Sequence, residues 1–548
     1  MAFHLGQIQL VDHDKFITLA KVQQYKKISL PARRGLILDR NGNKLAESLR
    51  VGSIYADPAM INNPSSVASQ LSGVLKLNHA KLTERLGKKK RFVWIKRKTS
   101  DEEIKAVEKL SLKGIHITHE YRRFYPNEQL GSHIIGFTGI DEKGLEGIEL
   151  SCDTILSGEP GYKLIVRDAK QDQIVTPNAD IVLPKYGDNI VLTIDATIQR
   201  FTEEELQVAC EKWKPLSATA IVMNPMTGEV LSMANYPTYN PNHFKKYPPG
   251  AKKNLAISDC YEPGSIMKPL IVSGLFEHDL KKPDDVIFCN NGVYKIGGRT
   301  LHDAHHGFGE LTVCKIISYS SNIGMAKLGM EMGVERMYQH LRNFNFGEKP
   351  GIGLPGEISG ILRPLREWSV KYSLISISMG HEIAVTPLQF ITAFSSIPNG
   401  GLLLKPKIIK SILGSDGKIR DISSGPEIIR RVMSANVARD MMNPILVDAV
   451  KEGTGKQANL LEYDVAGKTG TAQKTVGKGG LYSHDKYVGS FVAYAPAENP
   501  RFCVLVMLNE PQGKYYGGTV AAPVVASILN RSLQYIGVKS SRYQMAMQ

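Results

Sequence analysis

Two prolines fence a serine and a lysine three residues apart in E-P-G-S-I-M-K-P-L, Glu262 to Leu270, and no other segment restricts the chain so tightly. Pro-Gly closes an irregular approach to Ser265, and the run I-M-K-P-L-I-V-S-G-L-F after it has helical spacing. Pro269 then falls in the first turn, where a missing N–H costs little. The pattern predicts a helix that starts at Ser265 and carries Ser265 and Lys268 on one face. Backbone N–H groups at such a start favour negative charge developing beside the serine. A hydroxyl needs a base to become a nucleophile, and a lysine serves only once its proton can leave. Alone, the segment reads more readily as an ordinary helix cap.

S-x-x-K occurs twice more, at Ser415 (S-D-G-K) and Ser483 (S-H-D-K). The first is turn chemistry and the second lies in a glycine-rich polar stretch, so both are expected to be solvated. Two further segments carry candidate chemistry. S-Y-S-S-N-I-G-M-A-K holds an S-x-N, Ser320 to Asn322, ahead of an amphipathic helix; a rival S-x-N at Ser434 reads as a cap. V-A-G-K-T-G-T-A-Q-K puts Lys468, Thr469, Gly470 and Thr471 on an expected strand, and K-T-G occurs only there.

The rest of the chain frames these motifs. At 548 residues it is too long for one core, so a large catalytic unit and a smaller one are expected. A hydrophobic share of 42% with 22% charged residues excludes a disordered or membrane-embedded chain. The turn P-K-Y-G-D, Pro184 to Asp188, marks the boundary. Before it, R-G-L-I-L-D-R-N-G-N-K-L-A from Arg34 predicts a hairpin whose Asn-Gly turn has positive φ at both central residues. The glycine-punctuated stretch Arg122 to Glu149 suggests an irregular α+β unit. After it, A-I-V-M-N-P-M-T-G-E-V-L-S-M-A from Ala220 and G-S-F-V-A-Y-A-P-A-E-N-P-R-F-C-V-L-V-M-L from Gly489 predict two core hairpins with helices between them. The large unit is thus an antiparallel sheet covered by helices.

A formal charge of +15 admits nucleic acid, an anionic surface or an acidic polymer as partner. In the densest run, Lys88 to Lys98, the residues Phe92, Trp94 and Ile95 are expected to pack inward from a strand. No RNP-like or zinc-finger pattern accompanies them, so no nucleic acid is expected. The six cysteines lack C-x-x-C spacing, and most are expected to be buried thiols. H-D-A-H-H, His302 to His306, is dense in potential ligands but sits in a loop, and H-E-I-A-V at His381 lacks a second histidine, so no metal is expected. No run approaches the roughly 18 apolar residues of a membrane span, and the N-terminus lacks the regions of a signal peptide.

Ser-x-x-Lys, S-x-N and K-T-G in this order carry far more weight together than apart. With R-G-L-I-L-D-R-N-G, R-R-F-Y-P, H-I-I-G-F-T-G-I-D, G-L-E-G-I-E, Y-N-P-N and M-G-H-E-I-A-V-T-P-L-Q, they make the chain from about Phe3 to Val538 resemble a class B penicillin-binding protein, more particularly the cell-division (septal) peptidoglycan D,D-transpeptidase. The resemblance implies an α+β fold with a penicilloyl-serine transferase domain over 186–538. It also implies an elongated, dimerisation-type pedestal over 31–185, a juxtamembrane segment over 1–30 and a tail over 539–548. It implies an acyl-enzyme on Ser265, Lys268 as base under the influence of burial and of Lys468, and Ser320 as proton relay. Asn322 would orient Lys268 and the substrate amide, and Thr469 and Thr471 would hold the substrate carboxylate beside Lys468. The backbone N–H groups of Ser265 and Thr471 would form the oxyanion hole.

The implied substrates are peptidoglycan stem peptides, with β-lactams as covalent inhibitors and no cofactor. The implied partners are a multi-span glycosyltransferase and other division proteins. The implied location is the inner membrane, bitopic, with the catalytic domain in the periplasm, so a short basic tail and about 20 apolar residues are expected ahead of Met1. An elongation-type transpeptidase and a division scaffold with reduced turnover are the alternatives. A class A β-lactamase is disfavoured, because no Glu between Asn322 and Lys468 has an Asn four residues on to activate water.

Overall fold

A computed structural model of the chain describes residues 14, 25–167, 173–174, 180–296, 298–303, 307–369, 372–422, 425–476 and 481–540. Most of the expected juxtamembrane lead and of the C-terminal tail lies outside the described residues. The fold is α+β, as expected.

In the N-terminal part the long strand Lys44–Ala56 pairs antiparallel with Ile115–Phe124 and with Val93–Thr99. Helices Pro64–Leu75, His79–Leu86 and Asp101–Lys109 cover the sheet, and Ile54, Leu71, Leu82, Ile95 and Val107 close the core between them. Each helix starts on an Asn or Ser whose side chain accepts a backbone N–H, which satisfies a donor the helix cannot. Ile95 packs inward as expected, but Phe92 is 47% exposed. It precedes the strand rather than sitting in it, and it stacks on Tyr55 at 4.7 Å along an outer aromatic strip.

The Arg34 hairpin forms with a different turn from the expected one. Only Gly42 has positive φ, at 87°. Asp39 Oδ1 accepts the N–H groups of Asn41 and Asn43 at 2.9 and 2.8 Å, and this carboxylate lets Asn41 stay out of the left-handed region. The register shifts between Ile37 and Leu38, as in a turn followed by a glycine bulge.

One sheet crosses residue 186. Strand Ile37–Leu38 pairs parallel with Asn189–Leu192, which pairs antiparallel with Ile409–Leu413. Behind this seam, three of the motif strings meet at one carboxylate. Glu149, fully buried, accepts from Arg34 Nε and Arg123 Nε, each at 2.6 Å, while Arg34 Nη1 reaches Asp153 at 2.6 Å. Arg123 Nη1 also donates to the Gly35 carbonyl at 2.7 Å.

The C-terminal part is built on α1 (Ala196–Trp213), β1 (Ser217–Met223), β2 (Val230–Tyr236), α2 (Lys268–Glu277), α3 (Asn322–Met332), β3 (Ala466–Val476), β4 (Leu481–Ala495), β5 (Phe502–Asn509) and α4 (Ala522–Tyr535). The strands make a wholly antiparallel sheet in the order β2-β1-β5-β4-β3, so both expected hairpins form. Strand alternation divides the burial. Ala218, Ala220 and Val222 face the core shared with α1 and α4, and Ile221 and Met223 face the core that contains α2. α2 is buried all round, as a helix central to a large core must be. All six cysteines are free; four are buried, and Cys260 and Cys314 are half-buried. Among the described residues no helix is long and apolar enough to cross a membrane.

Glu149→Ala strands two buried guanidinium groups without their carboxylate, and the expected loss is about 3–5 kcal/mol. Calorimetric unfolding of the full chain should show it, whereas Glu159→Ala, from the exposed Lys185 pair, should shift stability by roughly 0.5 kcal/mol or less.

Candidate active site

The nucleophile's segment folds close to its expected form. Gly264–Met267 is a 3-10 turn, α2 continues from Lys268, and Pro269 sits in the first turn of α2. Gly264 has φ of 58°, and a Cβ there would lie 3.1 Å from Ala472 Cβ, so glycine lets the turn lie against β3. A Cβ on Gly470 would stand 2.4 Å from Ser490 Oγ and 3.0 Å from Ile266 Cγ2, so the glycine of K-T-G lets the strand approach the turn this closely.

Lys268 is fully buried, and its Nζ is surrounded by the S-x-N segment. It donates to Ser320 O at 2.8 Å and Asn322 Oδ1 at 2.9 Å, and lies 3.2 Å from Ser320 Oγ and 3.4 Å from Ser321 O. Ser320 adopts φ of 61°, rare for a residue with a side chain, and in this left-handed conformation its own carbonyl and hydroxyl both reach the amine. Asn322 Nδ2 donates to His302 O at 3.1 Å, which fixes its amide so that Oδ1 faces Lys268. Ser321 caps α3 by accepting the Gly324 N–H at 3.0 Å.

Burial pushes the Lys268 amine down to about 7, against an upward pull from the Asp303 carboxylate. Lys468, also fully buried, is pushed well below the usual lysine range by burial and then by Lys268. Burial is thus the largest effect at both amines, and their mutual repulsion adds to it. The expected reach of Lys268 to Ser265 differs. Among the described residues Nζ spends its bonds on Ser320, Ser321 and Asn322. A neutral amine has two hydrogens, which Ser320 O and Asn322 Oδ1 take up, and its lone pair remains for a proton from a hydroxyl.

Ser265, Ser320, Asn322, Thr469 and Thr471 all line one cleft of about 640 Å³. Gly470 faces the nucleophile turn from the other side of β3, while the buried Lys468 brings its Nζ to within 3.2 Å of Thr469 Oγ1, a hydroxyl of the cleft-lining residue. The decoys stay outside the cleft. Ser415 is exposed as expected. Ser483, expected to be solvated, is instead 7% exposed, because it belongs to β4 and bonds Asp485. Ser434 does act as a cap, toward Val437.

Four residues of the site went unassigned in the sequence. Asp303 Oδ1 accepts from Ser321 Oγ at 2.9 Å and from the N–H groups of Asn322 and Ile323 at 2.7 and 3.2 Å, so it holds the start of α3 in place. Its only signal was its place in H-D-A-H-H, of which residues 304–306 lie outside the described residues. Among the described residues no cluster could hold a metal ion. Thr454 shares a 2.7 Å bond with Thr469 Oγ1; the glycines that fence it in E-G-T-G-K were the available sign. Glu262 binds His381, at the mouth of the cleft.

A serine beside a buried amine poised near neutrality, with a strand edge alongside, defines an active-site-serine acyltransferase. Family models for the penicillin binding protein transpeptidase domain and the penicillin-binding protein dimerisation domain match residues 218–530 and 29–192. Stage V sporulation protein D of Bacillus subtilis is 34% identical over 99% of this chain and 84% of its own length. Peptidoglycan D,D-transpeptidase FtsI of Escherichia coli is 32% identical over 98% of this chain and 90% of its own. Among solved structures, penicillin binding protein 3 of Mycobacterium tuberculosis complexed with aztreonam superposes with a TM-score of 0.73 at 28% identity, covering 94% of this chain and 98% of that one. Penicillin Binding Protein 2X of Streptococcus thermophilus gives 0.76 at 26%, covering 95% and 82%. The chain belongs to the penicillin-binding protein transpeptidases, and its dimerisation domain ahead of the transpeptidase domain makes it a class B member.

Proposed function

We propose that this protein is a serine D,D-transpeptidase that cross-links peptidoglycan stem peptides through an acyl-enzyme on Ser265, in septal wall synthesis. The observation that carries the reading is the fully buried Lys268 amine, held near neutrality within 3.2 Å of Ser320 Oγ in the cleft that Ser265 lines. Neutral Lys268 accepts the proton of Ser265 as Oγ attacks the penultimate D-Ala carbonyl. Ser320 passes that proton to the leaving D-alanine amine. Asn322 keeps Lys268 in line and meets the substrate amide. The Ser265 and Thr471 N–H groups stabilise the oxyanion, a type of contact worth roughly 3 kcal/mol per donor. Lys468, Thr469 and Thr471 hold the terminal carboxylate, with Gly470 giving the clearance. An amine from a second stem then resolves the ester.

Residues 31–185 form the pedestal and 186–538 the catalytic domain. The enzyme works on the periplasmic side of the inner membrane as a bitopic membrane protein, beside a multi-span glycosyltransferase and other division proteins. The septal role is supported by H-I-I-G-F-T-G-I-D, a feature that the resemblance links to division. β-Lactams acylate the same serine.

Ser265→Ala should abolish labelling by a fluorescent penicillin while Ser415→Ala and Ser483→Ala label normally; full labelling of Ser265→Ala would remove the assigned nucleophile. Penicillin acylation should also depend on pH through Lys268. With its amine at about 7, the neutral form dominates above that pH and is lost below it. Stopped-flow acylation should therefore slow about tenfold per pH unit at acid pH. Depletion in the source organism should give undivided filaments or enlarged cells, and rounded cells with normal septa would point to elongation instead.

A further inference from the structure

Beside the nucleophile turn stands an acid–base pair that the mechanism above leaves unused. His381 Nδ1 lies 2.9 Å from Glu262 Oε2, three residues before Ser265. The other oxygen of Glu262 accepts the Glu382 N–H at 2.9 Å and the Tyr482 hydroxyl at 3.3 Å. The carboxylate is thus fixed from both sides, and it holds the Nδ1–H tautomer of the imidazole. Nε2 then carries the lone pair, and among the described residues it has no hydrogen-bond partner. The ring is 24% exposed, packs edge-on against Tyr482 at 5.2 Å and lines the same cleft as Ser265 and Thr471.

The pair is tied to the nucleophile by backbone. Gly264 N–H donates to Gly380 O at 3.0 Å, and a Cβ on Gly380 would stand 2.1 Å from Gly264 O. The other charges nearby are accounted for. Glu382 is bonded to Arg363 and Ser373, and the Arg299 guanidinium lies over the Tyr372 ring at 4.2 Å. Lys268 serves Ser265 and Ser320 and Lys468 is buried against Thr469, whereas His381 offers a partly exposed proton acceptor that opens to the cleft.

We propose that His381 is the base that takes a proton from the acceptor amine in the second half-reaction, with Glu262 as its positioning residue. The proposal rests on the acyl-enzyme reading of Ser265. An alkyl amine at neutral pH is an ammonium and has no lone pair for attack. Nε2 removes one proton, and the freed nitrogen bonds to the acyl carbon. The C–Oγ bond breaks, Lys268 carries a second proton from nitrogen to Ser265 Oγ, and His381 returns the first to solvent. The products are the amide and free Ser265.

The test uses the full chain, a D-alanyl thioester donor and two acceptors. D-alanine presents an ammonium, whereas the nitrogen of hydroxylamine is unprotonated at neutral pH. His381→Gln should lower the maximal rate of transfer to D-alanine about a hundredfold, a size typical of general-base loss. The acceptor KM should move by less than about threefold, and transfer to hydroxylamine should fall by less than about fivefold. Glu262→Gln should show the same selectivity with roughly a tenfold loss, and it carries the comparison if His381→Gln folds poorly. Equal losses with both acceptors, or none with D-alanine, would overturn the proposal. Penicillin labelling is measured on the same samples: a label that survives in Ser265→Ala refutes the acyl-enzyme reading, whatever the acceptor result.

Discussion

The site depends on burying an amine that water would otherwise keep charged. Lys268 has no exposed surface, and desolvation is the larger of the two effects on its proton. Burial alone would make an unsatisfied polar group in the core, at a cost the fold must offset. The S-x-N segment does so with two carbonyl-type oxygens within 2.9 Å. Those acceptors would equally suit an ammonium, so burial, not bonding, sets the amine near neutrality. Asp303 then limits the effect, because its carboxylate pulls the amine back toward the charged form while organising the start of α3.

This arrangement needs rigid walls, and each wall has a separate support. α2 is held by the central core, and α3 by its Ser321 cap and Asp303. β3 is held by its pairing with β4 from Ala466 to Val476. The sheet seam through Ile37–Leu38 and Asn189–Leu192 ties the N-terminal part to the same body. The buried cluster at Glu149 lies at that seam. It joins residues of the N-terminal part more than a hundred positions apart, so it forms only once that part has folded. A buried ion group of this kind adds little net stability when complete, but breaking it is costly, which makes it a selector for one geometry.

Much of this was legible in the sequence, for physical reasons that also explain the rest. Local patterns report local structure: the prolines around Ser265 fixed the start of α2, and period-two apolar runs gave both core hairpins. What depended on distant partners was not legible. The Asn41-Gly42 turn follows the Asp39 carboxylate instead of dipeptide preference. Phe92 lies outside because it shares a face with Trp94, opposite the inward Ile95. Ser483 is buried because β4 runs further toward its turn than a glycine-rich composition suggests. At the site, the three motifs carried every residue that lines the cleft from them. Asp303, Thr454 and the Glu262–His381 pair were missed, since each acts through a neighbour brought close only by the fold.

The two faces of β3 explain why K-T-G must be a strand and why its order matters. Residues of one parity, Thr469, Thr471 and Gln473, line the cleft, while Lys468, Gly470 and Ala472 are turned toward the nucleophile turn and the sheet's interior. A shift of one residue would bury the hydroxyls and expose the lysine. The register with β4, Lys468 opposite Val492 and Thr471 opposite Gly489, prevents that shift. β3 is also the last strand of its sheet, so its outer edge faces the cleft rather than another strand. An open edge is normally an aggregation hazard that proteins cover or charge. Here the nucleophile turn shields it, leaving a short row of backbone donors and acceptors. An extended peptide can pair with such an edge through its main chain and offer a carbonyl to Ser265. The site therefore selects for a backbone first and a side chain second, which suits a substrate whose reacting bond is itself a peptide bond.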